Sequence, residues 1–325
     1  MKNLTVRQIG IIVVAVLLIL IAPRFLKVVQ IRILNEIAYF SLFAISFNLL
    51  FGYAGLLSFG HAAYFGLGAY TTALLLKHVT GIPLLLSILM GGIAGAFGGA
   101  VVGLFCVRRK ASYFVLLTLA FNQLIWALAW KWRTLTGGSD GIGGFAPKTI
   151  NFGIITFDMT KAETIYYLTV SIVIPLLLLV RYLMKTPFGN TTVAIKVNEE
   201  RAAFLGYNVN LSKHLIFTCA SFFAGIAGSL FALFQDFVAT SAVDLLMSTE
   251  VIMMTFLGGT GSFFGPVLGA AIFVYFTDWI SSLTDRWEFI LGVLFIVLVL
   301  YFHQGAIGLI PKRLKSIFES QRRID

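Results

Sequence analysis

The sequence predicts an all-α polytopic membrane protein, with about ten transmembrane or discontinuous helices in two weakly related halves. Three observations carry that expectation. Of 325 residues, 59% are hydrophobic and 12% charged, against about 25% charged in an ordinary soluble domain. Apolar windows near the roughly 20 residues that a bilayer crossing needs follow one another almost end to end. Runs such as IIVVAVLLILIA do not alternate in the way that membrane β-barrel strands must. The chain, 1–325, therefore reads as a single membrane domain.

The windows fall near 9–22, 31–50, 54–76, 83–106, 112–130, 163–184, 212–235, 249–261, 265–281 and 288–310. The first resembles a signal peptide in length but has no A-x-A-like cleavage site, so it is expected to be a retained span. The eighth is too short to cross as one regular helix, and glycine interrupts it. Acidic residues avoid the windows: Glu36, Glu250, Asp278 and Glu288 are expected near window ends.

The formal net charge is +10. Its positive residues cluster at Arg108, Arg109 and Lys110 and in the tail at Lys312, Arg313, Lys315, Arg322 and Arg323. Short basic loops of this kind orient membrane proteins with their positive side inward. The charge therefore points to the lipid bilayer and not to nucleic acid. It places the 185–213 segment and the basic tail 311–325 in the cytoplasm, the 131–162 loop outside, and both termini inside. Arg24, Lys27 and Arg32 run against that orientation, which leaves the first helix the weakest element of the topology.

Small residues recur every four positions: Gly91, Gly95, Gly99 and Gly103; Ala54, Ser58, Ala62 and Gly66; Ala220, Ala224, Gly228 and Ala232; Gly261, Gly265 and Gly269. Residues four apart share a helix face, and small faces let membrane helices approach closely. A tight bundle is expected. The stretch GYAGLLSFGHAAYFGLGAY also echoes GGTGSFFGPVLGAAIFVYF. Glycine-interrupted segments at matching places in two halves mark transport sites in many carriers.

Three groups of residues are candidates for function. Ser58, Gly60, His61 and Tyr64, with Gly259, Gly261 and Ser262 in the echo, are the pathway candidates. For His61 a helix-packing hydrogen bond is the competing reading. A Ser58–His61 hydrolytic pair has no orienting carboxylate nearby, so no catalytic residue is assigned. Cys106 and Cys219 lie in apolar stretches and predict neither disulfide nor metal site. In the outer loop, Gly137, Gly138, Ser139, Asp140 and Gly141 form a glycine-rich run that can hold a ligand amine or a docking protein. In the 185–213 segment a helix is expected from about Thr191 to Leu205, with Gly206 as a left-handed cap. That segment presents Glu199, Glu200, Arg201 and Ala202 to a partner, or is an ordinary connector. No glycine run ends in Gly-Lys-Ser/Thr, so any ATP chemistry belongs to another subunit.

Taken together, these motifs resemble a known family. GYAGLLSFGHAAYFGLGAYT, LTGGSDGIGG, TPFGNTTVAIKVNEERAAFLGYNV, GGTGSFFGPVLGAA and YFHQGAIGLI are similar, in order, to signatures of branched-chain amino-acid ABC transporter permeases of the M-type subunit. The resemblance runs from about residue 35 to 311. It implies a bacterial inner-membrane permease that binds no cofactor and catalyses no reaction itself. It also implies a homologous H-type permease, two ATP-binding subunits carrying ATP and Mg, and a periplasmic substrate-binding protein. Glu200, Arg201, Ala202 and Gly206 match the E-A-A-x-x-x-G docking pattern, with Arg201 in place of the first alanine. Leucine, isoleucine and valine are the substrates implied; urea, short amides or other amino acids are the nearest alternatives. An ion-coupled carrier working alone and an intramembrane enzyme are the rival classes.

Overall fold

The computed structural model describes residues 22–296 except 25, 80, 110, 148, 152–155, 261, 285, 287–288, 291 and 294–295. The expected first helix, Lys110, Glu288, Gly261, most of the tenth window and the basic tail lie outside the described residues.

Helix α1 (Val28–Asn48) continues as a wider π turn over Leu49–Tyr53. After it come α2 (His61–His78), α3 (Leu84–Cys106) and α4 (Ala111–Lys131). The one-turn α5 (Arg133–Thr136) leads to three short strands, β1 (Ile142–Gly143), β2 (Thr149–Asn151) and β3 (Thr156–Asp158). Then follow α6 (Ala162–Lys185), α7 (Pro187–Val197), α8 (Glu199–Phe204) and α9 (Val209–Gln235). Strand β4 (Phe237–Val238), a 3-10 turn over Thr240–Val243, α10 (Leu245–Gly258) and α11 (Gly265–Ser281) follow. β1 pairs antiparallel with β4, and β2 with β3. These ribbons leave the chain essentially all-α.

Among the described residues, five helices are long and apolar enough to cross a membrane: α1 with its π turn, α3, α4, α6 and α9. At 14 residues, α10 extends about 21 Å, short of the roughly 30 Å hydrocarbon core. The eighth window is thus a part-span, as its length predicts. Proline marks helix starts where its missing N–H costs nothing, at Pro187 in α7 and Pro266 in α11.

The bundle is built around α9, which packs on α3, α2 and α1; α1 also packs on α6, α10 and α11. Three helices meet backbone to backbone. A Cβ on Gly68 would run into the Gly225 carbonyl, and one on Gly225 would meet Gly91 O at 2.6 Å and the Cα atoms of Gly92 and Gly95 at 3.2 Å. Lipid tails remove most of the hydrophobic drive between helices, so close van der Waals contact has to hold them together. On α3 the Gly91–Gly103 ridge faces α9, where Gly95 and Gly99 sit against Ser221. The opposite face carries Ile93, Phe97 and Leu104, all exposed. Residue size, not polarity, separates the two faces.

Ala220, Ala224 and Ala232 are fully buried on α9, and Gly228 lies against the Phe65 carbonyl of α2. Gly265 and Gly269 lock α11 onto α10 at Gly258 and Met254. The Ala54–Gly66 ridge is corrected: α2 begins at His61, so Ala54 and Ser58 stand outside any helix. Gly55, at φ +72°, turns the chain after the π turn, and Gly55–Ser58 runs back without helical structure to reach Gly60. Two acidic residues also lie deeper than expected. Glu36 is two turns inside α1 and Glu250 is in the second turn of α10, both half-buried.

Candidate functional site

The site begins where α1 ends. The chain leaves the π turn, reverses through Gly55–Gly60 and enters α2 at His61, alongside the α1 turn that carries Ser46. Ser58, fully buried, accepts the Gly60 N–H at 3.3 Å and closes the entry to α2. Gly60 has to be glycine here, because a Cβ would strike the Thr118 carbonyl of α4.

His61 is completely buried. Ser46 Oγ donates to the Phe43 carbonyl at 2.6 Å and lies 2.8 Å from His61 Nε2. Ser46 Oγ thus bridges the Phe43 carbonyl and the imidazole, and His61 Nδ1 has no hydrogen-bond partner among the described residues. The ring stacks on Phe43 at 5.4 Å and meets Phe47 and Tyr64 edge-on. Tyr64, itself buried, packs edge-on against Phe217 of α9. The next residue of α2, Ala62, donates its N–H to Ser248 Oγ of α10 at 3.0 Å. Ser58 and His61 thus have different partners and form no pair. Ser46 and Ser248 are the polar residues that sequence reasoning missed. Ser46 signalled itself only as a small hydroxyl inside an apolar run, and Ser248 stands in a Ser-Thr-Glu run just before the eighth window.

The echo motif repeats this local geometry. Between α10 and α11 the chain turns at Gly259, at φ +102°. Ser262 Oγ accepts the N–H of Gly265, the first residue of α11, at 2.9 Å, as Ser58 does for Gly60. Both turns rest on the end of α1: in the first, Leu56 N donates to Leu50 O at 2.9 Å, and against the second, Asn48 Nδ2 donates to Ser262 O at 3.2 Å and a Cβ on Gly52 would meet Thr260 O at 2.7 Å. The structure brings the two turns that carry the pathway candidates to this common support. Gly261 lies outside the described residues.

The 185–213 segment differs from the single expected helix. It starts earlier, at Pro187, and breaks at Asn198, whose extended backbone ends α7 and whose side chain caps Arg201 N at 2.8 Å to begin α8. Gly206 is left-handed at φ +88°, as its position demands. Tyr207 N bonds Ala202 O and Gly206 N bonds Ala203 O, which closes the end of α8. Glu199 pairs with Lys213 of α9 at 2.6 Å, and Ala202 is buried with Ile195 and Val209. Glu200 and Arg201 are exposed, beside Val197, Phe204 and Leu205. Phe204 is 91% exposed. On the inner side, Lys196 Nζ donates to the Gly52 carbonyl at 2.6 Å.

At the other end of α9 the glycine-rich loop is fastened down. Gly137, Gly138 and Gly141 have positive φ, and Gly138 N donates to Thr136 Oγ1 at 3.3 Å. Ser139 donates to Asp140, and both are exposed. Asp236, left-handed at φ 48°, accepts from Phe145 N at 2.9 Å and Ala146 N at 2.7 Å. With the Ile142–Val238 pairing, this clamps the loop to the end of α9. Asp236 carried no signal in the sequence beyond following a long apolar helix.

Comparison with known proteins gives one family model, described as the branched-chain amino acid transport system / permease component, which matches residues 29–300. High-affinity branched-chain amino acid transport system permease proteins LivM from Escherichia coli K12 and Salmonella typhimurium LT2 are 27% and 26% identical over 271 residues, 78% of this chain. The matched region spans 64% of the length of those relatives. A probable branched-chain amino acid transport permease protein LivM from Methanocaldococcus jannaschii is 23% identical over 277 residues, 77% of this chain and 78% of its own. No solved structure matches.

Proposed function

Because the chain belongs to the family of branched-chain amino acid transport permease components, we propose that it is the membrane-spanning subunit of an ATP-driven importer for leucine, isoleucine and valine. The observation that carries the reading is the family match over 29–300, which takes in both glycine turns, the glycine-rich loop and the 185–213 segment together.

In this reading the chain sits in a bacterial inner membrane with both termini in the cytoplasm. It is paired with a homologous permease and served by a binding protein at the 137–146 loop. Two partner subunits bind ATP and Mg and hydrolyse the nucleotide; this chain performs no chemistry. They dock on the exposed face formed by Glu200, Arg201, Phe204 and Leu205, with Glu199, Ala202 and Gly206 holding α8 in place. Their movement rocks the bundle between outward- and inward-facing states. Ser58, Gly60, His61, Tyr64, Gly259, Gly261 and Ser262 shape the route, where hydroxyls and aromatic rings suit a zwitterion with an apolar side chain. The buried state of Ser58 and His61 fits a route that is shut in this conformation.

The test is uptake of labelled leucine into proteoliposomes holding this chain, its permease partner and the two ATPases, with and without ATP and binding protein. Uptake that needs both additions is expected. Uptake that ignores ATP and follows an ion gradient would replace the proposal with a secondary carrier. ATPase stimulation by a binding protein loaded with urea or an amide, with no leucine uptake, would change the substrate and keep the architecture.

A further inference from the structure

Lys196 joins two parts of the molecule that the sequence leaves 144 residues apart. On one side lies the α7–α8 body. Ile195, Ala202 and Val209 form a small apolar cluster that ties α7, α8 and the start of α9 together, and Glu199–Lys213 closes the same unit. Gly189 lies against the backbone of Met184, so α7 leaves α6 at a tight corner with no room for a side chain. These contacts hold α7, α8 and the start of α9 together as one packed unit.

On the other side lies the end of α1. Its last turn is a π turn, a form found mostly as single turns within α-helices and often at functional sites. The Gly52 carbonyl is one of the helix-end carbonyls that cannot find a partner within the helix. Lys196 supplies it, and a cation there also faces the negative end of the helix dipole. The lysine stem passes Gly55 so closely that a Cβ there would lie 3.1 Å from Lys196 Cγ. The same few residues at the end of α1 support both glycine turns, the first through the Leu56 N to Leu50 O bond at 2.9 Å and the second through Asn48–Ser262 and the contact of Gly52 with Thr260.

We propose that Lys196 is the positioning residue through which displacement of α7–α8 is passed to the glycine turns at 52–60 and 259–265. This deepens the transport reading and rests on it for the source of the displacement. A pull on α7 draws the Gly52 carbonyl, and with it the α1 end that holds both turns. The link is a charged hydrogen bond on a flexible stem, so it carries motion without fixing one conformation.

The experiment uses the assembled transporter with Leu57→Cys as a reporter in the first turn, labelled by a maleimide with and without ATP. Leucine uptake per ATP hydrolysed is measured in parallel. Lys196→Met keeps the stem and removes the charge; Lys196→Arg keeps the charge. The ATP-dependent change in labelling of the Leu57→Cys reporter is expected to vanish in Lys196→Met and to return in Lys196→Arg. ATPase activity should be retained and leucine moved per ATP should fall about tenfold. An ATP response that survives in Lys196→Met overturns the inference. So does a loss of ATPase activity and assembly together, which would mark an ordinary helix cap. A parent transporter whose reporter labelling ignores ATP overturns it as well. Absence of ATP-dependent uptake by the parent, with its labelling response intact, instead counts against the substrate and leaves the inference standing.

Discussion

His61 Nε2 lies 2.8 Å from Ser46 Oγ, which also reaches the Phe43 carbonyl at 2.6 Å. This chain of two bonds fastens the first turn of α2 to α1, and it is completely buried. A buried polar group that loses its partner keeps its full desolvation cost, about 1–3 kcal/mol. Ser46→Ala should therefore lower stability by about that amount, read as a drop in melting temperature of the detergent-solubilised chain. Ser58→Ala should cost less, because its 3.3 Å bond is a local turn contact. Equal effects of the two substitutions would mean that the His61 bond contributes nothing special.

Gly68, Gly91 and Gly225 bring three helices together by their backbones. Overpacking a close-packed contact typically costs about 1–3 kcal/mol, and here the obstacle is main chain, which has little freedom to yield. Gly68→Val should sharply reduce the yield of folded protein in fluorescence-detected size exclusion. Phe97→Leu, on the exposed face of α3, should leave it unchanged. A well-folded Gly68→Val chain would contradict the packing described.

Phe204 touches little of its own chain, so Phe204→Ala should shift stability by no more than about 0.5 kcal/mol. Aromatic anchors dominate docking energies. Co-purification of the ATPase subunits should consequently fall by at least about tenfold for a loss near 1.4 kcal/mol. Undiminished co-purification would place the docking face elsewhere on the 185–213 segment.

Asp236 does two jobs that alanine cannot: it accepts a left-handed backbone and it receives two amide hydrogens. Asp236→Ala should cost about 1–3 kcal/mol locally. Hydrogen exchange at Phe145 and Ala146 should accelerate, whereas amides within α3 should not change. Asp236→Asn tolerates the same backbone and keeps an oxygen acceptor, so most of the protection should remain. Equal acceleration in both variants would assign the effect to charge alone.

Much of this molecule was legible before its structure. Window lengths located α3, α4, α6, α9 and α11 to within a few residues, and the spacing of Gly91–Gly103 named the buried face of α3. Gly206 announced its left-handed turn because helix ends favour glycine there. The partners of the polar residues were a different matter. In a helix that is apolar on every side, hydropathy carries no period, so it does not tell which neighbour a serine or lysine will meet. A hydroxyl in an apolar run says that some partner exists, since burying it bare costs energy; it does not say which.

Composition and local spacing are enough to establish an all-α membrane protein and the small-residue faces on which its helices meet, while its family comes from the likeness of its motifs and the family match over 29–300. One stretch of chain carries each of those signals alone. The folded arrangement was needed to show that Gly55–Gly60 doubles back before α2 begins, that His61 bonds Ser46 and not Ser58, and that Asn198 splits the 185–213 segment into two helices. It also joined Lys196 to Gly52 and Asp236 to the glycine-rich loop. Such contacts depend on where helices distant in sequence come to rest. Within an apolar bundle, that is decided by the fit of all their surfaces at once.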